Sequence, residues 1–150
     1  MSPLLITWTK DNMTASKIAA LILIAAGAAV AQQDAEFTAW MKTAGRAFGA
    51  LNKLDKKTGK DAVSGAERLG GVYEQMIGYW RQRNLADAEK SSVAGKAAAA
   101  ELAAAAFAGD ADRAGQALKT LGETCHSCHV KYRESLPDGT YRFKAPAPPR

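Results

Sequence analysis

From about residue 34 onward, apolar residues recur at spacings of three and four, which is the pattern of amphipathic helices. Alanine is abundant and β-branched residues are scarce, and both features favour helix over strand. The pattern divides into four segments, at about residues 34–56, 61–83, 87–108 and 110–134. Four amphipathic helices joined by short connections predict an all-α fold, an up-down-up-down four-helix bundle.

The first two predicted helices carry heptad-like apolar stripes. The first helix stops at Thr58 and Gly59, and its stripe is Phe37, Trp40, Met41, Ala44, Phe48, Leu51 and Leu54. The second helix has Asp61 as its predicted N-cap. Its stripe is Val63, Ala66, Leu69, Tyr73, Met76, Ile77 and Trp80.

The last two predicted helices differ in character. The third is rich in alanine, has Gly109 as its C-terminal cap, and has Val93, Leu102 and Phe107 as its larger apolar groups. The fourth starts at Asp110, and its inner stripe is Ala114, Ala117, Leu118, Leu121, Cys125, Cys128, His129 and Tyr132. Pro137-Asp138-Gly139 predicts a turn that ends this helix, and the Pro-rich residues 145–150 predict an extended, mobile tail. The predicted domain spans residues 32–136, followed by turn and tail at 137–150.

An apolar run at residues 18–30 follows Lys17 and ends in the small-residue stretch Ala29-Val30-Ala31. The run is too short for a comfortable membrane span and predicts a cleavable signal peptide at residues 1–31. The alternative is a retained N-terminal anchor, and Met13 is a more ordinary translation start than Met1. Cleavage after Ala31 predicts an exported, periplasmic protein without a stable membrane anchor.

The strongest chemical signal is Cys125-His126-Ser127-Cys128-His129, the Cys-x-x-Cys-His arrangement that attaches a c-type haem. The two thiols add to the two vinyl groups of the porphyrin, and the imidazole that follows reaches the iron from one side. In a helix, Cys125, Cys128 and His129 stand at i, i+3 and i+4 and project from one face, with His126 almost opposite. The motif predicts one covalent haem c in the core of the bundle.

Two other uses of the cysteine pair remain open at this point. Cys125 and Cys128 could form an exported dithiol or disulfide. A structural zinc site needs four nitrogen or sulfur ligands, and the chain offers only these two cysteines together with His126 and His129. Zinc would therefore need both histidines from adjacent turns or ligands from a second chain.

The formal charge of the 150-residue chain is +5, and signal cleavage lowers it by one because Lys10, Asp11 and Lys17 are removed. Acidic residues are interspersed among the basic ones, so the mature surface is only mildly basic. Such a surface can steer an acidic redox partner, but it does not resemble a nucleic-acid footprint, and no nucleic-acid partner is expected.

The residues resemble one known family, the class II c-type cytochromes, which comprise cytochrome c-prime and its low-spin relatives. The matching segments are Cys125-x-x-Cys128-His129-x-x-Tyr132-Arg133 with Gly122-Glu123-Thr124 before it, and Met41-Lys42-Thr43-Ala44-Gly45 in the first helix. The similarity of pattern extends over all four predicted helices. The resemblance implies a haem-bearing four-helix bundle whose function depends on the second axial position of the iron.

The resemblance offers two states of that position. A methionine from the first helix can bind the iron, as in the low-spin relatives, and Met41 is the matching residue. Alternatively, Met41 only covers an open, five-coordinate site that admits NO or CO. Met76, the other methionine of the mature chain, is a third possibility because it also lies on an inward stripe at similar depth.

The resemblance also bears on the surroundings of the haem. Many members place an arginine for a propionate one turn before the covering residue, where this chain has Phe37, so the propionate partner is unassigned. The nearby basic candidates are Arg81, Arg83, Lys131 and Arg133. Large flat side chains pack well against a porphyrin, and Tyr132 is the best candidate for haem contact. The other aromatic candidates are Trp40, Tyr73 and Trp80.

The leading functional hypothesis is a periplasmic carrier of single electrons between redox partner proteins, ligated by His129 and Met41. A five-coordinate gas-binding protein is the alternative. An enzyme is not expected, because no spare histidine has a distal location suited to acid-base chemistry. The resemblance also allows a homodimer through the first and second helices.

Overall fold

The computed structural model describes residues 35–144, which form four helices and a short β-hairpin. The helices are α1 at residues 35–53, α2 at Lys60–Gln82, α3 at Ala86–Phe107 and α4 at Ala111–Tyr132, and the strands are β1 at Arg133–Ser135 and β2 at Tyr141–Phe143. The predicted signal peptide at residues 1–31 and the tail at 145–150 lie outside the described residues. Every contact discussed below lies within the compact unit that begins at Phe37.

Contacts between helices establish their directions. Phe37 packs against Trp80, and Leu51 lies beside Gly65, so α1 and α2 are antiparallel. Tyr73 lies against Gly95 and Arg81 pairs with Glu89, so α2 and α3 are antiparallel. The pair Glu101–Arg113 gives the same relation between α3 and α4. The up-down-up-down four-helix bundle predicted from the sequence is therefore confirmed.

The core lies between the helices and is filled by small and large apolar side chains in turn. Its largest fully buried members are Trp80, Leu51, Leu69, Leu102 and Leu121. Buried alanines on α3 and α4 bring the backbones close together. Of the three larger apolar groups predicted on α3, only Leu102 joins the core, because Val93 is 49% and Phe107 85% exposed.

The helix ends show where the sequence prediction was wrong. The first helix ends at residue 53 and not near Lys56, and the ammonium group of Lys57 folds back to donate to the carbonyl oxygens of Asn52 and Leu54. Gly59, and not Asp61, is the N-cap of α2. Gly59 has φ +84°, a conformation that glycine adopts at little cost, and its N–H donates to Ala106 O at 3.0 Å. Asp61 instead lies in the first turn, where its charge favours the helix dipole.

Two predicted caps are confirmed. Asp110 is the N-cap of α4, and its carboxylate accepts from Arg113 N at 3.0 Å. Gly109 follows α3 with φ +76°, as expected of a residue just past a helix C-terminus.

The β-hairpin after α4 was not predicted. The helix ends at Tyr132 and not near Glu134, and Arg133–Ser135 pairs with Tyr141–Phe143 in antiparallel register. The predicted turn at Pro137-Asp138-Gly139 connects the strands, with Gly139 at φ +79° and Asp138 accepting from Thr140 N. The hairpin folds back on the bundle, because Lys144 N donates to Tyr132 O at 2.8 Å and Phe143 stacks on Tyr132.

Among the described helices, none has the length and apolar character needed to cross a membrane.

Candidate functional site

The Cys-x-x-Cys-His segment lies in the last two turns of α4. Cys125, Cys128 and His129 are half-buried, and both cysteines pack against the core, whereas His126 is exposed. The sequence spacing therefore brings the two thiols and one imidazole to the same inner side of the helix. The predicted position of His126 on the outer side is confirmed.

Tyr73 of α2 reaches the first cysteine of the motif. Its hydroxyl lies 3.2 Å from the Sγ atom of Cys125. Burial raises the pKa of Tyr73, and the neighbouring Cys125 raises it further, so the phenol is protonated and can donate to sulfur. The ring lies so close to Gly95 of α3 that an added Cβ there would be 2.3 Å from the ring carbons. The glycine therefore fixes where Tyr73 and its hydroxyl sit.

The imidazole of His129 has one polar neighbour on its own helix face. The Nη1 atom of Arg133 lies 3.5 Å from Nδ1 of His129. Burial lowers the pKa of His129, and the positive charge of Arg133 lowers it further. A neutral imidazole is the form that binds a metal ion. The electrostatics of this position therefore suit an axial iron ligand.

An aromatic cluster closes the bundle at the C-terminal end of α4. Its members are Phe37, Trp40, Tyr79, Trp80, Tyr132 and Phe143. Trp80 is at the centre, with ring centroids 4.9 Å from Phe37, 5.7 Å from Tyr132 and 5.4 Å from Phe143. Trp80 and Tyr132 are buried and Trp40 is half-buried. The haem contact predicted for Tyr132 stays a prediction.

Asp87, in the first turn of α3, binds the end of α4. Tyr132 donates its hydroxyl to Oδ1 of Asp87 at 2.5 Å, and the ammonium group of Lys131 pairs with Oδ2. The hydrogen bond from Lys131, followed by that from Tyr132, lowers the pKa of Asp87 to about 2. Sequence reasoning missed Asp87, because no spacing rule links residues 87 and 132 in different helices.

We expect Asp87→Asn to destabilise the protein at neutral pH by about 0.2–1 kcal/mol, since the carboxylate is half-exposed and screened by solvent. The pKa of Asp87 is lower in the folded chain than its ordinary value of 3.8, so its contribution is present above about pH 4. That contribution is lost as the pH falls towards 2. Denaturant unfolding at several pH values measures the difference, with Asp55→Asn in the exposed α1–α2 connection as control. A difference that persists unchanged at pH 2 contradicts the assignment.

We expect Tyr73→Phe to lower the free energy of unfolding by about 0.5–1.5 kcal/mol, because the ring stays while its hydrogen bond to Cys125 is lost. Tyr141→Phe is the matched control, since the Tyr141 side chain is on the exposed hairpin. Denaturant unfolding of the haem-loaded protein measures both variants. An equal loss in the two variants would exclude a specific role for the Tyr73 hydroxyl.

The side chains around the motif fit a covalent porphyrin. Two half-buried thiols and a neutral imidazole share one helix face, and a layer of aromatic rings lies one turn beyond them. The Nε1 atom of Trp80 is buried without a hydrogen-bond partner in the described chain, so it can serve an acceptor on a bound group. Within residues 35–144, no cluster of three or more His, Cys, Asp or Glu side chains is placed to hold a metal ion directly.

Comparison with known proteins agrees with this site. The family model described as Cytochrome C' matches residues 79–133, from the end of α2 to the start of the hairpin. The cytochrome c' of Pararhodospirillum photometricum is 53% identical over 49 residues, which cover 33% of this chain and 36% of that relative. The match thus spans about a third of the relative's length. No solved structure gives a significant match.

The matched segment contains the whole haem-attachment motif, and one covalent haem c, the cofactor predicted from the sequence, is the cofactor of this family. The four-helix architecture agrees with it. Through residues 79–133, the chain is similar to the cytochrome c' family of class II c-type cytochromes.

Proposed function

We propose that this protein is an exported carrier of single electrons whose haem iron is bound by His129 and Met41. Cys125 and Cys128 would hold the porphyrin through two thioether links. The observation that supports the proposal is the height of Met41 in the bundle, because two independent sets of contacts favour a level close to that of His129. The attached haem supplies the one-electron chemistry between ferric and ferrous iron.

The first set of contacts joins α1 directly to α4. A Cβ added at Gly122 would lie 3.1 Å from the ring of Phe48, so these two residues share one level. The helices are antiparallel, so moving seven residues back from Phe48 and seven forward from Gly122 covers the same distance, about 10 Å. This comparison supports a similar height for Met41 and His129.

The second set runs through α2. Trp80 lies beside Phe37 of α1 and also beside Tyr132 of α4, so Phe37 and Tyr132 share a level. Met41 lies four residues after Phe37, and His129 lies three residues before Tyr132. Since α1 and α4 are antiparallel, the two routes agree to within one residue, about 1.5 Å along the axis.

Met76 lies at a similar height, because Tyr73 is level with Cys125 and the parallel helices α2 and α4 then bring Met76 level with Cys128. Its environment differs from that of Met41. Met76 is only 6% exposed and belongs to the packed core, whereas Met41 is half-buried at the edge of the core. Met41 can therefore reach the iron of a bound haem without disturbing core packing, which favours Met41 over Met76 as the ligand.

Ligation by a thioether suits electron transfer. It closes the sixth position to small gases and raises the haem reduction potential. The chain has two histidines, of which His126 is exposed, so no imidazole is placed for acid-base catalysis opposite His129. We therefore propose a carrier and not an enzyme, with a redox protein as its partner. The same proposal includes export to the periplasm and the pairing of two copies through α1 and α2.

The ferrous haem-loaded protein tests this function. We expect it to exchange electrons reversibly at an electrode and to leave its visible spectrum unchanged under CO, because Met41 occupies the sixth position. Rapid CO binding by the wild-type ferrous protein would overturn the proposal and favour a gas-binding function with an open distal site.

A further inference from the structure

The indole N–H group of Trp80 is an unusual polar group in the core. Its side chain is 1% exposed, and its Nε1 atom has no acceptor among the described residues. Leaving a buried N–H group unpaired costs about 1–3 kcal/mol. Tryptophans that are buried in this way usually find a partner for the indole N–H. The position of Trp80 therefore calls for an acceptor that the described side chains do not supply.

The location of Trp80 relative to the motif indicates what that acceptor is. The Trp80 ring stacks on Tyr132, one helical turn beyond His129, whereas Cys125 and Cys128 precede His129 along α4. In haem c, the pyrrole rings that carry the thioethers lie on the edge opposite those that carry the propionates. Attachment at Cys125 and Cys128 would therefore direct the propionate edge towards the end of α4 where Trp80 lies.

We propose that Trp80 donates its indole N–H to a haem propionate. The bond is charge-assisted, because the acceptor is an ionised carboxylate. It rests on haem attachment to α4 and holds whether or not Met41 binds the iron.

The charges at this end of the bundle favour a carboxylate. Three positively charged side chains belong to this end. Arg133 and Lys144 are exposed, and the guanidinium of Arg83 lies 3.6 Å from the centroid of the Tyr79 ring. The acidic groups nearby are already paired, since Asp87 binds Lys131 and Tyr132, and Glu134 binds Arg142 at 2.8 Å. The net charge of these groups is therefore positive, which favours a bound carboxylate.

The residue of α1 that faces Trp80 has no polar group that could bind the propionate in place of the indole N–H. Phe37 occupies the position facing Trp80, with ring centroids 4.9 Å apart, and it also stacks on Tyr79 at 4.4 Å. The aromatic cluster thus orients the Trp80 ring by packing on it from several sides. The indole N–H is held in place before any group binds to it, which lowers the entropic cost of the bond.

The direct test is nuclear magnetic resonance on the wild-type ferrous haem-loaded protein, saturated with CO if its sixth position is open. We expect a nuclear Overhauser effect between the indole N–H proton of Trp80 and the propionate methylene protons of the haem. An assigned indole proton with no such effect would overturn the proposal. CO binding by the same sample reports on Met41 separately, so failure of one proposal is distinguishable from failure of the other.

A pair of variants provides a second test. Trp80→Phe keeps an aromatic ring and removes the donor, while Phe143→Leu alters the same cluster on the hairpin. We expect the propionate bending band in the resonance Raman spectrum to shift in Trp80→Phe and to stay in place in Phe143→Leu. An unchanged band in Trp80→Phe, or equal shifts in both variants, would contradict the proposal. If Trp80→Phe fails to fold, the wild-type measurement decides alone.

Discussion

Met41→Leu is expected to turn a CO-inert ferrous protein into one that binds CO. Leucine has nearly the volume of methionine, so the fold should lose less than about 1.5 kcal/mol. The iron, however, loses its sulfur ligand, and the sixth position opens. We expect CO affinity to rise at least about tenfold, which corresponds to about 1.4 kcal/mol, and the reduction potential to fall.

The control is Met76→Leu, because Met76 lies at a similar height and is the other methionine of the predicted mature chain. It should leave both CO binding and potential as in the wild type. If Met76→Leu opens the site while Met41→Leu does not, the ligand is Met76. Strong CO binding by all three proteins would mean that neither methionine binds the iron.

Gly95→Ala should cause the largest loss of stability among the glycine substitutions in the helices. An added Cβ would lie 2.3 Å from two ring carbons of Tyr73, and the buried ring must move to relieve the contact. Overpacking of this kind costs about 1–3 kcal/mol, against a gain of about 1 kcal/mol in helix propensity. Displacement of Tyr73 also breaks its contact with Cys125.

Gly71→Ala is the matched control, since Gly71 is within α2 and an added Cβ there meets nothing within 4 Å. We expect this variant to gain about 0.4–1 kcal/mol. Thermal and denaturant unfolding of the haem-loaded proteins measure the difference. Equal stability of the two variants would show that the close approach of Tyr73 to Gly95 carries no energetic weight.

Much of the fold could be predicted from the sequence because the apolar period of a helix is local information. The stripes of α1, α2 and α4 specify which faces are buried, and residues such as Asp110 and Gly109 mark helix boundaries through their own chemistry. Alanine-rich α3 was harder, since its alanines lie on both buried and exposed faces and mark no single apolar stripe. Whether Val93 and Phe107 are buried depends on where its neighbours lie, which the sequence of α3 does not encode.

The haem motif could also be predicted, because Cys125, Cys128 and His129 are adjacent in sequence and their spacing is fixed by the chemistry of attachment. Contacts between segments that lie far apart in the sequence could not be predicted. Tyr73 meets Cys125 over 52 positions of sequence, and Asp87 meets Tyr132 over 45. The hairpin was missed because its strands are only three residues long and are stabilised by packing on Tyr132 and Trp80.

The near-infrared spectrum of the intact ferric haem-loaded protein tests the central claim most directly. If His129 and Met41 both bind the iron, the protein is low-spin and shows the charge-transfer band of a methionine sulfur on ferric haem. This band should disappear in Met41→Leu. A wild-type spectrum of high-spin, five-coordinate ferric haem without that band would contradict the account.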